Sequence, residues 1–301
     1  MLPIVEGPDQ QVKPGIVEGA RYGILTTLRD IVNRFGLSSV LSLRLTMENT
    51  CSVISGLYAL LAVFPDVFEP NDLDFYVPAS NLDILLSYIQ QNGYTLAASP
   101  AEYRYMSPLV LGVHRLVCGA LAIDVVSVQG PDPLKAVVEF HSTLLMNTIS
   151  SSGLVCLYAS LTLRNVGIIN YGLLSIPGVN GVAHFDKYCL RGFSLEESLE
   201  DLDDSLVEDG HRCRVNPSCP STIRTIHDAG VLFIAFNYID DPFLTHRPTL
   251  VWRLANDSCC PTETDGFSMG PNCTICTYFF SDAPLHFLTD VCIPSSYPQV
   301  L

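Results

Sequence analysis

Lysine is scarce in this sequence, and basic residues are few overall. Three lysines and thirteen arginines are set against 31 acidic residues, which gives a formal net charge of −15 at pH 7. A surface this acidic repels phosphate backbones, and no arginine-rich run or aromatic–basic stripe offsets the repulsion. We therefore predict that the protein does not bind nucleic acid non-specifically.

Long apolar runs are also missing. No run reaches the roughly 20 uncharged residues that span a bilayer, and the opening MLPIVEGPDQQVKPG lacks the basic start and apolar stretch of a signal peptide. The 301 residues are nevertheless 48% hydrophobic, which is enough to bury one substantial core or two modest ones. These features predict a globular intracellular protein, cytoplasmic or nuclear, without membrane contact.

The cysteine pattern does not indicate a disulfide framework, because the eleven cysteines are odd in number and unevenly spread. Cys273 and Cys276 form a C-x2-C pair in a turn-rich stretch. A tetrahedral structural Zn²⁺ site with this pair would draw its other ligands from His211, Cys213, Cys219 and the Cys259–Cys260 pair. Buried thiols are the simpler interpretation of these cysteines, and structural zinc is the alternative.

Composition and periodicity divide the chain into four parts. Residues 1–18, rich in proline and glycine, are predicted to be an extended leader, and residues 19–50 two helices. Residues 51–192 alternate short strands with helices. Residues 193–301 are predicted to begin with an acidic helix and to continue as a cysteine-rich C-terminal subdomain.

The part from 51 to 192 has the pattern of an α+β fold, in which helices flank a mixed β-sheet. The predicted strands are 51–55, 72–77, 94–97, 103–106, 109–117 and 121–128, and the predicted helices are 57–64, 82–89 and 133–147. The cysteine-rich segment is then an extension of this fold.

The acidic stretch 194–209 contains eight carboxylates, yet its leucines recur every three to four residues. Ser194 and Glu197 have the spacing of a capping box. This pattern predicts an amphipathic helix with a solvated acidic face, and an acidic docking element is the alternative.

Three aspartates suggest a metal site. Asp72 and Asp74 are two residues apart on the predicted strand DLDFYV, so both side chains project from one face. Asp124 lies inside the apolar run ALAIDVVSV, where a buried carboxylate needs a cation, an arginine such as Arg104 or Arg115, or hydrogen bonds. If the two strands are neighbours, the three carboxylates converge.

In this arrangement the chain resembles the nucleotidyltransferase superfamily, which has a DNA polymerase β-like fold and includes nucleotide-adding RNA enzymes. The family pattern is a glycine turn after the first strand, an Asp-x-Asp after a helix, and a third acid on a later strand. Here VISG ends at Gly56, DLD covers 72–74, and IDVV contains Asp124. The resemblance covers residues 51–150, and in texture the chain is similar to fungal members of the superfamily.

The resemblance implies that Asp72, Asp74 and Asp124 are catalytic residues and ligands of Mg²⁺ or Mn²⁺. It also implies that the turn formed by Ser55, Gly56 and Leu57 receives the phosphates of a nucleoside triphosphate. Leu57 occupies the place of a family serine or glycine, and its side chain cannot donate a hydrogen bond to phosphate; the alternative is that Ser55 and Gly56 are the family pair in reversed order.

Two cations downstream, Lys187 and Arg191, could neutralise the phosphates, although surface pairing with the acidic segment is the alternative. The implied function is metal-dependent nucleotidyl transfer from a nucleoside triphosphate to a hydroxyl of a protein, small molecule or RNA end. The alternative is a catalytically degenerate nucleotidyltransferase fold that acts as a binding or interaction module.

Overall fold

A computed structural model of the chain describes residues 14–65, 67–97, 107, 109–170, 181–197, 215–236 and 250–254. Its α-helices are α1 (Pro14–Arg34), α2 (Val40–Thr50), α3 (Leu57–Val63), α4 (Leu82–Gln91), α5 (Leu134–Val137), α6 (Ala159–Thr162) and α7 (Gly181–Cys189). Its strands are β1 (Val53–Ser55), β2 (Asp72–Pro78), β3 (Thr95–Leu96), β4 (Val110–Cys118), β5 (Leu121–Val128), β6 (Asn147–Ile149), β7 (Gly153–Cys156), β8 (Val166–Ile168), β9 (Ser194–Glu196), β10 (Arg224–Thr225), β11 (Leu232–Ala235) and β12 (Val251–Trp252).

The main sheet confirms the predicted α+β class. It has eight strands in the order β11-β7-β6-β1-β2-β5-β4-β3. Within this described sheet, β2 and β5 are the one parallel pair, and the other neighbours are antiparallel. A parallel pair needs a long crossover, which here includes α4, β3 and β4.

The two faces of the sheet differ in chemistry. On β2, Leu73, Phe75 and Val77 alternate with Asp72, Asp74 and Tyr76. The first set belongs to the main hydrophobic core, which the apolar faces of α1, α2 and α4 also enter. The other face carries the carboxylates at one end and a smaller apolar cluster around Tyr76 and Val126 further along. Among the described residues, no helix is both long and apolar enough to cross a membrane.

A second core lies beyond β7 and is organised around a buried arginine. The guanidinium of Arg224 binds both oxygens of Asp228, at 2.6 and 2.7 Å, and donates to the carbonyl oxygen of Leu157 at 2.9 Å. It lies over the rings of Tyr158 and Trp252, with the guanidinium carbon 4.5 and 5.3 Å from their centroids. This network joins residues 215–236 and 250–254 to the sheet.

The structure differs from the sequence predictions in several places. Helix α1 begins at Pro14, inside the stretch predicted as an extended leader, because proline is favoured in the first turn of a helix. The prediction of one helix over 133–147 is wrong. Asp132 caps only the short α5 through the Leu134 amide, Ser142 caps a 3-10 turn at Thr143–Leu145, and Asn147 already belongs to β6.

The capping pattern predicted that the acidic helix starts at Ser194, but no helix starts there. Ser194–Glu196 forms β9, which pairs in parallel with β8, and the Ser194 amide donates to the carbonyl oxygen of Asn165. The rest of the predicted acidic helix, in residues 198–214, lies outside the described residues. The strand predicted at 103–106, within 98–106, and the C-x2-C pair, within 255–301, lie outside them as well. The main sheet also extends past residue 192, since β11 pairs with β7.

Candidate metal centre

The strand register brings the three aspartates together. In the parallel pair of β2 and β5, Asp74 lies opposite Asp124, and Asp72 precedes Asp74 by two residues on the same face. One carboxylate oxygen from each residue lies within 4.8 Å of the others, which makes the group a candidate cation site. The sequence prediction that Asp72, Asp74 and Asp124 converge is therefore confirmed as geometry.

Gly56 makes room for this cluster. Its backbone has φ +67° and ψ −140°, a conformation that L side chains rarely adopt. A Cβ at this position would lie 2.6 Å from Oδ2 of Asp74, far inside van der Waals contact. The glycine is thus required both by the turn between β1 and α3 and by the carboxylate packed against it.

The carboxylates destabilise one another in the ionised form. Burial raises the pKa of Asp74 to about 8, and the neighbouring Asp72 and Asp124 act in the same direction, while Arg115 and Lys187 oppose them. Within the described part of the chain, no basic group forms an ion pair with Asp74. A divalent cation would supply the positive charge that this carboxylate lacks.

Arg115 forms a bidentate ion pair with Asp124. From β4, its Nε donates to Oδ1 of Asp124 at 2.8 Å and its Nη2 donates to Oδ2 at 2.6 Å. The same Nη2 lies 3.6 Å from Oδ2 of Asp72. One of the two arginines proposed from the sequence is therefore the partner of Asp124, and Arg104 lies outside the described residues.

The register explains why Arg115 reaches Asp124. Strands β4 and β5 are joined by a two-residue turn at Gly119, which has φ +61°, and pairing outward from Cys118 and Leu121 places Arg115 opposite Asp124. The glycine turn is visible in the sequence, and counting outward from it would have favoured Arg115 over Arg104 as the partner of Asp124.

The basic side of the site consists of Lys187, which interacts electrostatically with Asp72 and Asp74, and of Arg191, which interacts with Lys187. The pKa of Lys187 is lowered, first by partial burial and then by Arg191, whereas Asp72 and Asp74 raise it. Arg191 places its guanidinium carbon 5.0 Å from the ring centroid of Phe68, and its buried Nη1 has no hydrogen-bond partner among the described residues. The structure thus brings the Lys187 ammonium within electrostatic range of the aspartates.

Ser55 and Leu57 have packing contacts in this structure. The Ser55 side chain is buried and its hydroxyl donates to the carbonyl oxygen of Asn147 at 2.7 Å. Leu57 is partly buried against the main core. The only hydroxyl proton of Ser55 is therefore in use, and Leu57 has no donor to offer.

Two tyrosines beside the site were not indicated by the sequence. Tyr188 of α7 is buried, and burial raises its pKa, as do Asp74 and Asp72, while Arg191 lowers it. Tyr58 of α3 has a buried hydroxyl without a hydrogen-bond partner among the described residues, and burial raises its pKa to about 12. Neither residue lies in a recognisable motif, because both are brought near Asp72 by tertiary packing.

No family model matches the chain, and no curated protein matches it. Among solved structures, tRNA-processing enzyme complex 3 is 17% identical over 60% of this chain and 46% of that chain, with a TM-score of 0.36. Two apo forms of a tRNA-processing enzyme are each 16% identical, with TM-scores of 0.33 and 0.36. They cover 62% and 60% of this chain, and 45% and 47% of their own chains.

The chain therefore spans less than half the length of these tRNA-processing enzymes. Scores this low assign neither a substrate nor a reaction, and the function has to follow from the site itself.

Proposed function

We propose that this protein is a metal-dependent nucleotidyltransferase, which transfers a nucleotide from a nucleoside triphosphate to a hydroxyl of a protein, small molecule or RNA end. The observation that carries the proposal is the convergence of Asp72, Asp74 and Asp124 from two adjacent strands, with oxygen atoms within 4.8 Å of one another. Clustered carboxylates at such spacing are suited to Mg²⁺ or Mn²⁺.

The residues present fit a divalent cation. Their donors are hard carboxylate oxygens, and burial, together with the charges of Asp72 and Asp124, raises the pKa of Asp74 to about 8, so that an added positive charge would stabilise its ionised form. Gly56 leaves the Asp74 carboxylate the space that any side chain would take. When bound, a divalent cation would stabilise negative charge on the phosphates and favour ionisation of the acceptor hydroxyl.

The remaining roles fall to the chain's own side chains. Asp72, Asp74 and Asp124 hold the cation, and Asp124 also helps to orient the acceptor hydroxyl. Lys187 and Arg191 hold the triphosphate, since Lys187 interacts electrostatically with Asp72 and Asp74, Arg191 interacts with Lys187, and neither has a carboxylate partner in the described structure. The acceptor oxygen forms a bond to the α-phosphorus, the bond from that phosphorus to the bridging oxygen breaks, and pyrophosphate leaves. The hydroxyl proton passes to a carboxylate of the cluster.

The negative charge of the chain limits which acceptors can bind. A formal net charge of −15 disfavours a long phosphate backbone at its surface. A protein or small-molecule hydroxyl therefore fits better than long RNA.

A second candidate function is a catalytically degenerate fold that binds a ligand or partner without turnover. Two observations favour it. Arg115 engages both oxygens of Asp124, and Leu57 is packed against the core where the family turn would contact phosphate. The two functions differ in turnover, so binding and pyrophosphate release have to be measured together.

The test is a thermal-shift titration with each of the four ribonucleoside triphosphates, with and without Mn²⁺. Wild type is compared with the Asp72→Asn/Asp74→Asn variant and with Asp83→Asn, which neutralises an exposed carboxylate of α4 as a control. Ligand at 100 times its Kd stabilises the folded state by about 2.7 kcal/mol. Each variant is referred to its own ligand-free midpoint.

We expect a Mn²⁺-dependent shift in wild type and Asp83→Asn, loss of it in the double variant, and Mn²⁺-dependent pyrophosphate release. Binding without pyrophosphate release in the presence of protein, small-molecule and RNA hydroxyls would select the second candidate. No shift with any nucleotide would reject the transferase.

A further inference from the structure

Arg115 is the strongest partner of the acidic cluster in the described structure. Its guanidinium makes a two-pronged contact with Asp124 and reaches to 3.6 Å from Asp72. The side chain of Asp124 is 3% exposed, whereas that of Arg115 is 30% exposed. Asp124 is therefore the more deeply buried partner, and Arg115 occupies both of its carboxylate oxygens.

The contact also changes the charge that attracts a cation. Once cation binding has displaced the Asp74 proton, the three ionised aspartates carry −3, and Arg115 reduces this to −2. A guanidinium on Asp124 repels a divalent ion held by the neighbouring Asp72 and Asp74, since like charges a few ångströms apart interact strongly at a partly buried site. Both the charge and the occupied oxygen atoms oppose metal binding.

We propose that Arg115 is a positioning residue that takes the place of a metal cation in the metal-free protein, where it neutralises Asp124. When a divalent cation binds, Arg115 releases at least one Asp124 oxygen. The cation affinity of the site is lowered, because this contact has to be broken first. The inference rests on the proposed function. Arg115 keeps the buried Asp124 carboxylate compensated until the metal arrives, because an unpaired charge there is costly.

The first test measures Mn²⁺ affinity without nucleotide, from the electron paramagnetic resonance signal of free Mn²⁺. The variants are Arg115→Gln, which removes the charge but keeps a donor, and Arg115→Lys, which keeps the charge. Arg29→Gln removes one charge from an exposed position on α1 as the matched control. We expect Arg115→Gln to bind Mn²⁺ at least about tenfold more tightly than wild type, and Arg115→Lys and Arg29→Gln to remain within about twofold.

The second test uses the wild-type protein, so that it does not depend on a folded variant. The Arg115 Nε–H proton, which donates to Asp124 at 2.8 Å, is followed by ¹⁵N NMR and assigned by its absence in Arg115→Lys or by sequential connectivity. We expect this proton to exchange slowly with solvent in EDTA. Saturating Mg²⁺ is expected to shift its resonance and accelerate the exchange.

The outcomes distinguish failure of the role of Arg115 from failure of the proposed function. If wild type binds Mn²⁺ and Arg115→Gln binds it equally or more weakly, Arg115 preorganises Asp124, and only this inference is overturned. An Arg115 Nε–H signal unchanged at Mg²⁺ saturation overturns it too. If neither wild type nor Arg115→Gln binds Mn²⁺ with or without nucleoside triphosphate, the proposed function fails together with it.

Discussion

Asp74 and Asp124 lie directly opposite each other on the parallel strands β2 and β5. Like charges at facing positions repel, and here Arg115 relieves Asp124 but forms no ion pair with Asp74. Burial, and after it the charges of Asp72 and Asp124, raises the pKa of Asp74 to about 8. A pair that weakens the folded protein is consistent with selection for ligand binding rather than for stability.

The first prediction concerns the stability of the metal-free protein. Because the folded-state pKa of Asp74 lies above its unfolded value of 3.8, the folded state holds the proton more tightly. Stability in EDTA should therefore fall as pH rises from about 4 to about 8, and level off above. Asp74→Asn should remove this component and be more stable than wild type at pH 8, as measured by urea unfolding.

Asp83→Asn is the control for this prediction, since it removes an exposed carboxylate of α4 and should leave the fall in stability that is assigned to Asp74 in place. A wild-type profile that Asp74→Asn does not flatten would show that Asp74 is ionised without cost, and would remove the electrostatic argument for a cation.

The second prediction separates backbone strain from crowding at Gly56. An added Cβ meets Oδ2 of Asp74 at 2.6 Å, so Gly56→Ala should lose about 1–3 kcal/mol of folding free energy and bind Mn²⁺ more weakly. Gly119→Ala is a matched control, because Gly119 has φ +61° but nothing within 4 Å of an added Cβ. It should lose about 1 kcal/mol from backbone strain alone and retain Mn²⁺ affinity.

Unfolding free energies and Mn²⁺ titrations of the two alanine variants provide the measurement. Equal Mn²⁺ affinity in Gly56→Ala and Gly119→Ala would mean that the space beside Asp74 is irrelevant to the cation.

The sequence predicted those elements of the fold that local apolar periodicity determines, and failed where long-range strand pairing determines them. The strand at 121–128 and the helix beginning at Leu82 were predicted well because apolar periodicity reports local structure and burial. The prediction of a helix over 133–147 failed because α5 ends at Val137 and Ser142 starts a separate 3-10 turn, and because β6 pairs with β1, where Ile149 lies opposite Ile54, 95 residues earlier.

At the candidate site, too, the residues were predicted from the sequence, but their contacts were not. The chain order of glycine turn, Asp-x-Asp and later acid was sufficient to select Asp72, Asp74 and Asp124. The contacts that tune them were not predicted in detail, because the Gly56–Asp74 approach and the bidentate Arg115–Asp124 pair depend on strand register.

The third prediction concerns the basic side of the site. Lys187→Ala and Arg191→Ala should each weaken binding of nucleoside triphosphate about tenfold, since each removes one charged contact to phosphate. Neither should weaken Mn²⁺ binding measured without nucleotide, because both cations repel the metal. Isothermal titration of the two ligands separately checks this, with Arg29→Ala on the exposed face of α1 as the control. Parallel loss of Mn²⁺ and nucleotide affinity would instead indicate that the variants disturb α7.

The last prediction links the cation to a proton. Since the pKa of Asp74 is raised to about 8 in the metal-free protein, a cation that binds this carboxylate must displace its proton at pH 7. Titration of Mg²⁺ or Mn²⁺ in buffers of different ionisation enthalpy should show release of close to one proton per cation at pH 7 and almost none at pH 9.5. The apparent affinity should rise with pH up to about 8 and then level off. In Asp74→Asn, any residual cation binding should release no proton, because the amide has none to exchange for the metal. Proton release that persists in Asp74→Asn would assign the titrating group elsewhere and would separate Asp74 from the metal centre.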